Sequence, residues 1–218
     1  MGHRADAPPY LAALDLNGRR CVVAGGGAVA RRKAEGLLAA GADVLVVAPE
    51  IGDMPPGARL ERREVRLGDL DGAALAVCAT DDPGANAALA REARRRDILV
   101  NVVDDPDAGT FTVPATVRRG RVQVAVSTGG ASPLLARRLR DQVAAQIGHD
   151  HALLAELLAD LRREWEPRAV AAGVPPAERR AAWQAVLDLP LLDLLHGGEA
   201  DEARGRAAAV LERALPRV

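Results

Sequence analysis

Hydrophobic and polar positions along the chain fall into blocks that predict strands and helices in alternation. Four runs are almost continuously apolar, which is typical of strands buried on both faces of a parallel sheet. They occupy residues 20–24, 44–48, 73–79 and 98–103. Helical patterns cover residues 28–40 and 83–96, and a charged, weaker run at residues 60–65 predicts a strand near a sheet edge. This order predicts an α/β fold with a mainly parallel, Rossmann-type sheet and right-handed crossovers.

The pattern changes after residue 104. Strand-like stretches at residues 110–117 and 122–127 are separated by Arg118-Arg119-Gly120-Arg121, which predicts an antiparallel pair rather than another crossover unit. A helix over residues 133–147 is expected to begin with Ser132 as its N-cap and Pro133 at its first position. From residue 149 onward the chain reads as helical, with breaks at Pro175-Pro176 and Gly197-Gly198.

The first apolar run leads straight into three glycines and a helix. Gly25-x-Gly27-x-x-Ala30 matches the Gly/Ala form of the dinucleotide-binding fingerprint. Gly25 permits the tight turn, Gly27 lets a pyrophosphate approach, and the small Ala30 lets the helix pack on the strand. The N–H groups that begin the helix form an anion site. The alternative interpretation is a glycine turn with no ligand.

Glu50 follows the second strand and stands 20 positions after Ala30. A carboxylate there is placed to accept a hydrogen bond from a ribose hydroxyl, and its charge disfavours the extra phosphate of NADP. The sequence therefore mildly favours NAD. The alternative for Glu50 is a solvated loop carboxylate.

Ligands of open parallel sheets bind beyond the carboxyl ends of the strands. Residues 25–28, 80–82 and 101–105 are predicted to meet at that edge, so Thr80, Asp81 and Val103 are cofactor-binding candidates. Asp104 leaves a buried strand at the same edge, where a partly desolvated carboxylate is suited to act as a base. The alternative is a strand-end turn that Asp104 caps.

A second candidate anion site lies at Ser127-Thr128-Gly129-Gly130, where small hydroxyl residues and free N–H groups precede a helix. Arg118, Arg119 and Arg121 are suited to bind substrate carboxylates. The alternatives are a tight strand-to-helix turn and a solvated hairpin tip.

The amino-acid composition limits the classes of partner that we expect this protein to bind. The 218 residues carry 29 Lys+Arg and 30 Asp+Glu, and this balance gives no reason to expect nucleic acid or a membrane surface as a partner. Aromatic residues make up 2% of the chain, too few for stacking platforms for bases. Cys21 and Cys78 lie within apolar runs and are interpreted as buried thiols. With no zinc-type cluster, signal peptide or apolar run of membrane length, we expect a cytoplasmic protein without a metal site.

Taken together, the motifs resemble one family, the siroheme synthase N-terminal module (precorrin-2 dehydrogenase/sirohydrochlorin ferrochelatase). The resemblance covers nearly all of residues 10–147 in order and spacing. It is carried by GGGAVARRKA (residues 25–34), VVAPE (46–50), ATDD (79–82), VNVVDD (100–105), FTVPA (111–115) and VAVSTGGASPLLAR (124–137).

The resemblance implies a Rossmann domain over residues 1–113, a dimerisation region over 114–147 and a helical region over 148–218. It implies a homodimer that oxidises precorrin-2 to sirohydrochlorin with NAD+, and in some members inserts Fe2+ to give siroheme. Since the chain stops at Val218, the resemblance is to the stand-alone form, which would not make precorrin-2 itself.

The resemblance also assigns roles to residues. Asp104 receives acid/base duty. The nucleotide contacts fall on Ala28, Val29, Pro49 and Glu50. For a polycarboxylate macrocycle, the candidate substrate-binding residues become Ser127, Thr128, Gly129, Gly130, Arg118 and Arg119. Thr128 stands where relatives often carry Ser, and the hydroxyl is kept.

Two other functions compete with this one. The first is a non-catalytic NAD(H) sensor that signals through its helical tail. The second is a dehydrogenase for a small carbonyl compound, which would require a His or a Tyr–Lys pair near the cofactor. Lys33, the only lysine, lies within the first predicted helix.

Overall fold

The computed structural model describes residues 9–216, which form two units. The first unit ends at Val113 and the second begins at Pro114. The polar, proline-containing sequence of residues 1–9 predicts a loose tail, which lies outside the described residues except for Pro9. The two units are described separately.

The first unit contains a five-stranded sheet. Its strands are β1 (Arg20–Ala24), β2 (Asp43–Val47), β3 (Arg59–Glu61), β4 (Leu75–Cys78) and β5 (Leu99–Val102). All pairs are parallel and the strand order is β3-β2-β1-β4-β5, which confirms the predicted parallel, Rossmann-type sheet. Helix α1 (Ala28–Leu38) follows β1, and α2 (Pro83–Arg95) connects β4 to β5; a 3-10 turn spans Leu67–Leu70.

Both faces of the central strands are buried, which explains their continuous apolar sequences. On one face Val23 and Val46 pack with Ala30 and Ala34 of α1. On the other, Val22 and Cys78 belong to a cluster that includes α2 residues. Burial raises the pKa of the Cys21 thiol to about 11 and that of Cys78 to about 12. Both cysteines are free and buried, as expected.

Two strand predictions need correction. The run at residues 60–65 shortens to β3, whose three residues are all exposed. Residues 110–114 are not strand, because the Thr110 and Phe111 N–H groups donate to the Val100 carbonyl at 2.7 and 3.4 Å. The following strand, β6, therefore begins only at Ala115.

The second unit combines a hairpin with a helical bundle. Its elements are β6 (Ala115–Arg119), β7 (Val122–Val126), α3 (Pro133–Gln146), α4 (His149–Ala171), α5 (Pro176–Leu187), α6 (Leu191–His196) and α7 (Ala200–Arg213). The two strands pair antiparallel, as the sequence predicted. Ser132 caps α3 by accepting a hydrogen bond from the Leu135 N–H at 3.2 Å. In the bundle, the buried Trp165 indole donates to the Leu211 carbonyl at 2.8 Å. None of the helices that the structure describes is both long and apolar enough to cross a membrane.

An ion pair between Arg63 and Asp69 fixes the crossover between β3 and β4. Two Arg63 nitrogens donate to the two Asp69 carboxylate oxygens at 2.9 and 2.6 Å, and the Arg66 N–H donates to Oδ2 at 2.7 Å. These bonds favour the ionised form, so the pKa of Asp69 lies below its ordinary value of 3.8. The stabilisation is therefore complete above about pH 4 and is lost as the pH falls through the lowered pKa.

Replacing Asp69 by Asn is expected to lower the melting temperature by several degrees at pH 7, because Arg63 loses the more buried of its two carboxylate partners and keeps only Glu61. The difference from wild type should shrink as the pH falls from about 4 through the lowered pKa of Asp69, where the wild-type carboxylate becomes protonated. Thermal unfolding followed by circular dichroism between pH 3 and 8 measures this. Asp71→Asn is the matched control, since its ion pair with Arg96 involves a side chain that is 75% exposed. A pH-independent loss in Asp69→Asn would contradict the assignment.

Candidate functional site

The glycine turn sits on the neighbouring strand ends. The Gly25 N–H donates to the Val47 carbonyl at 2.9 Å, and its φ of +127° lies where only glycine is comfortable. A Cβ on Gly25 would lie 2.2 Å from the Ala79 carbonyl oxygen at the end of β4. Gly25 is therefore required by both conformation and space.

Gly26 is as constrained as Gly25, although the fingerprint assigns it no role. A Cβ there would lie 1.9 Å from the Glu50 carbonyl oxygen, and the Gly52 N–H donates to the Gly26 carbonyl at 3.0 Å. The loop after β2 thus lies directly against the glycine turn. This contact brings the exposed Pro49 and Glu50 beside the start of α1.

Gly27 differs from its two neighbours. A Cβ built on it meets no atom within 4 Å, so the fold itself leaves space there. Gly27 is the N-cap of α1 and has no side chain to satisfy the first N–H groups of the helix. Ala28 is exposed and Val29 partly so. Backbone donors, a helix N-terminus and open space together form a cradle for an anion such as a pyrophosphate.

Thr80, at the end of β4, is held by a buried amide. The Thr80 hydroxyl donates to Asn86 Oδ1 at 2.8 Å, and Asn86 Nδ2 donates back to the Thr80 carbonyl at 2.9 Å. Asn86 is only 9% exposed. Asp82 caps α2 by accepting from the Gly84 N–H at 2.7 Å. These bonds fix the loop and leave Asp81 exposed.

Asp104 lies at the same sheet edge as the glycine turn. Ala24 pairs with Cys78, Cys78 pairs with Val102, and the Val103 N–H donates to the Cys78 carbonyl at 2.9 Å. Gly25 and Val103 are therefore two strand spacings, about 10 Å, apart. Asp104 has a φ of +65°, in the left-handed region. Its side chain is exposed, so the expectation of a partly desolvated carboxylate is wrong for the chain without ligands.

In the second unit, the candidate substrate groups are partly engaged with one another. The Thr128 hydroxyl donates to the Ser132 carbonyl and accepts from the Ser132 N–H, both at 3.1 Å. The Gly129 N–H donates to the Ser127 hydroxyl at 3.2 Å. Ser127, Gly129 and Gly130 are exposed. The Thr128 hydroxyl therefore has a structural role in the turn before α3.

The arginines of the β6–β7 hairpin are also tied locally. Arg119 donates to the Arg118 carbonyl at 3.0 Å, and Arg118 donates to Gln123 at 3.4 Å. Arg121 forms an ion pair with Glu156 at 2.8 Å. Arg121 is thus already matched with a carboxylate of its own unit.

Two family models match the chain. Residues 12–115 match a putative NAD(P)-binding family, and residues 119–146 match the sirohaem biosynthesis protein central family. The chain belongs to the siroheme synthase N-terminal module family.

Individual relatives agree with this family assignment. A siroheme synthase of Chromobacterium violaceum is 43% identical over 201 residues, covering 89% of this chain and 41% of the relative. One of Methylococcus capsulatus is 42% identical over 204 residues, covering 90% and 41%. The chain thus spans about two fifths of the length of these curated relatives. A solved structure of SirC, precorrin-2 dehydrogenase, is 26% identical, with a TM-score of 0.69, over 94% of this chain and all of that one.

In this siroheme synthase module, the sequence identified the candidate site residues at the ends of the strands. It missed the residues that hold the loops after those strands in place. Gly26 and Asn86 were not among the candidates, and neither was Thr110, which bonds to β5. The weak signal for Gly26 was its place in the middle of three consecutive glycines. The other two are polar residues outside any recognised motif, and only their hydrogen bonds reveal them.

Proposed function

We propose that this chain oxidises precorrin-2 to sirohydrochlorin and that NAD+ accepts the hydride. The observation that carries the proposal is the placement of Asp104, in a left-handed conformation, on the sheet edge that also holds the glycine turn. The siroheme synthase relatives and the likeness to SirC, precorrin-2 dehydrogenase, support this choice of reaction.

The cofactor is proposed to lie across the first unit. The pyrophosphate binds the N–H groups at Gly27, Ala28 and Val29. Gly25, whose own N–H donates to the Val47 carbonyl, forms the turn that presents these groups. Glu50, beside Pro49, accepts from the ribose hydroxyls, and Thr80, Asp81 and Val103 line the part of the edge nearer to β5. The 2.8 Å bond between Thr80 and Asn86 supports this assignment, because it keeps the loop after β4 in one conformation.

The reaction removes one hydride and one proton from the macrocycle. Bound NAD+ would supply the hydride acceptor, and the carboxylate of Asp104 would accept the proton. The two electrons lost by precorrin-2 are those gained by NAD+, so no further oxidant is required. The exposed Asp104 carboxylate is accessible to a substrate, and the bound macrocycle and cofactor would exclude water from it.

The carboxylates of the macrocycle are proposed to bind the second unit. The exposed Ser127 hydroxyl, the Gly130 N–H and the guanidinium groups of Arg118 and Arg119 supply suitable donors. Gly129, whose N–H donates to the Ser127 hydroxyl, keeps that hydroxyl in the turn. Thr128 acts by shaping the turn, as its two bonds to Ser132 indicate.

Two finer properties belong to the same proposal. We infer a homodimer that buries the apolar side of α3, because Leu134 and Leu135 are 75% and 47% exposed in the single chain. We also infer that Fe2+ is a second substrate, since the curated relatives are siroheme synthases. Among the described residues no group of three or more His, Cys, Asp or Glu side chains is arranged to hold a metal ion. Insertion would instead use a carboxylate that removes the pyrrole protons.

Incubating the protein with precorrin-2 and NAD+ tests the function. NADH absorbance and the sirohydrochlorin spectrum should rise together in a one-to-one ratio. Binding of NAD+ without either signal would overturn the dehydrogenase and favour the NAD(H) sensor. A second arm supplies sirohydrochlorin with Fe2+ or Co2+, and an insertion rate equal to that without protein would remove the chelatase alone.

A further inference from the structure

The segment that carries Asp104 is a short loop whose two ends are joined by hydrogen bonds. After β5 the chain turns through residues 103–109 and returns along the same strand. The Thr110 N–H donates to the Val100 carbonyl at 2.7 Å, and the Val100 N–H donates to the Thr110 hydroxyl at 2.8 Å. Asn101 Nδ2 donates to the Phe111 carbonyl at 3.2 Å. The returning segment is therefore fixed against the strand that Asp104 follows.

Helix α2 holds the same loop from another side. We call its hydrogen bonds to the loop the helix clamp, and the bonds between β5 and residues 110–111 the strand clamp. One guanidinium nitrogen of Arg94 donates to the carbonyls of Asp107 and Gly109, at 2.7 and 2.9 Å. Within the loop, Asp105 accepts from the Ala108 N–H at 3.1 Å. A Cβ on Gly109 would lie 3.1 Å from the Val100 carbonyl oxygen, so the loop closes tightly. The loop is thus held from the strand side and from the helix side.

The two clamps account for the unusual backbone conformation of Asp104. Non-glycine residues are uncommon in the left-handed region, and they persist there where the surroundings enforce the conformation. Asp104 lies inside the doubly clamped loop at a φ of +65°. Releasing either clamp would let it relax to an ordinary conformation, which would redirect its carboxylate.

We propose that Thr110 and Arg94 are positioning residues that hold Asp104 in its left-handed conformation, so that its carboxylate meets the proton that the substrate loses. The inference rests on the proposed function. It assigns part of the catalytic rate to two residues that are not proposed to touch substrate or cofactor.

Thr110→Val tests the strand clamp, because valine keeps the shape of threonine and removes the hydroxyl. We expect kcat for precorrin-2 oxidation to fall about 10- to 100-fold with KM for NAD+ unchanged. Thr110→Ser, which restores the hydroxyl, should return kcat to near the wild-type value. Thr112→Val, at an exposed position two residues away, is the matched control.

Arg94→Met tests the helix clamp, with Arg91→Met on the exposed surface of the same helix as its control. Arg94→Met is also an independent test of the proposal if Thr110→Val fails to fold. In an Asp104→Asn background, neither Thr110→Val nor Arg94→Met should change the residual rate by more than about twofold, because both act through the carboxylate. Full additivity of these effects would overturn the proposal.

Amide hydrogen exchange of residues 103–109 provides a readout that does not depend on turnover. Exchange should accelerate in Thr110→Val and in Arg94→Met and remain at the wild-type rate in the two controls. Unchanged exchange would overturn the clamp even if the wild-type protein proved inactive. Conversely, an inactive wild-type protein with accelerated exchange in the variants would overturn only the proposed function. A wild-type protein that turns over, with kcat unchanged in both clamp variants, would overturn only the positioning role.

Discussion

Asp104→Asn is expected to lower kcat for precorrin-2 oxidation by about 1,000-fold, because an amide cannot accept the proton that leaves with the hydride. Asparagine is the appropriate replacement, since it tolerates the left-handed φ of +65° as well as aspartate does. The fold and the affinity for NAD+ should therefore be unchanged. Stopped-flow NADH absorbance gives the rate, and calorimetric titration with NAD+ gives the affinity.

The control for this variant is Asp107→Asn in the same loop. Asp107 is exposed, and Arg94 binds its backbone carbonyl rather than its carboxylate. Its rate should match the wild type. Asp104→Ala should be as inactive as Asp104→Asn and slightly less stable, because alanine adopts a left-handed conformation less readily. An Asp104→Asn protein with wild-type kcat would show that another group accepts the proton.

Gly26→Ala and Gly27→Ala are expected to fail in different ways. The Gly26 variant places a methyl group 1.9 Å from the Glu50 carbonyl oxygen, which must move, and should lose about 3 kcal/mol or more of unfolding free energy. The Gly27 variant meets nothing in the fold and should lose no more than about 1 kcal/mol, the cost of alanine in place of glycine at an N-cap. Its methyl group would occupy the space proposed for the pyrophosphate, so the Kd for NAD+ should rise about tenfold or more.

Urea unfolding and NAD+ titration of both variants separate the two effects. Gly36→Ala is a suitable reference, because a Cβ there also meets nothing within 4 Å and the residue lies in α1 away from the turn. It should bind NAD+ normally and be slightly more stable, since alanine favours a helix. Normal NAD+ affinity in Gly27→Ala would place the pyrophosphate elsewhere.

The sequence was informative where backbone geometry and burial leave a periodic signal. Strands buried on both faces must be apolar throughout, so β1, β2, β4 and β5 were visible as runs. The turn at Gly25 was visible because only glycine tolerates its φ and its contact with Ala79. Asp104 was found because it follows a buried strand at the ligand-binding edge.

The remainder depends on contacts between irregular segments, which leave no periodicity. Residues 110–114 alternate like a strand, but the bonds from Thr110 and Phe111 to Val100 give them another conformation. Arg94 resembles its neighbours on a basic helix end, and only the loop carbonyls of residues 107 and 109 distinguish it. The exposure of Asp104 was also hidden, because it depends on how the loop leaves the sheet.

The returning segment at residues 109–111 has a consequence for self-association. By bonding to Val100 it occupies the outer side of β5, where an unpaired strand would otherwise offer its backbone to another molecule. At the opposite border of the sheet, β3 is only three residues long and carries Arg59 and Glu61. Neither border of this sheet therefore favours the addition of a foreign strand, and edge-to-edge association of this sheet with another copy is disfavoured.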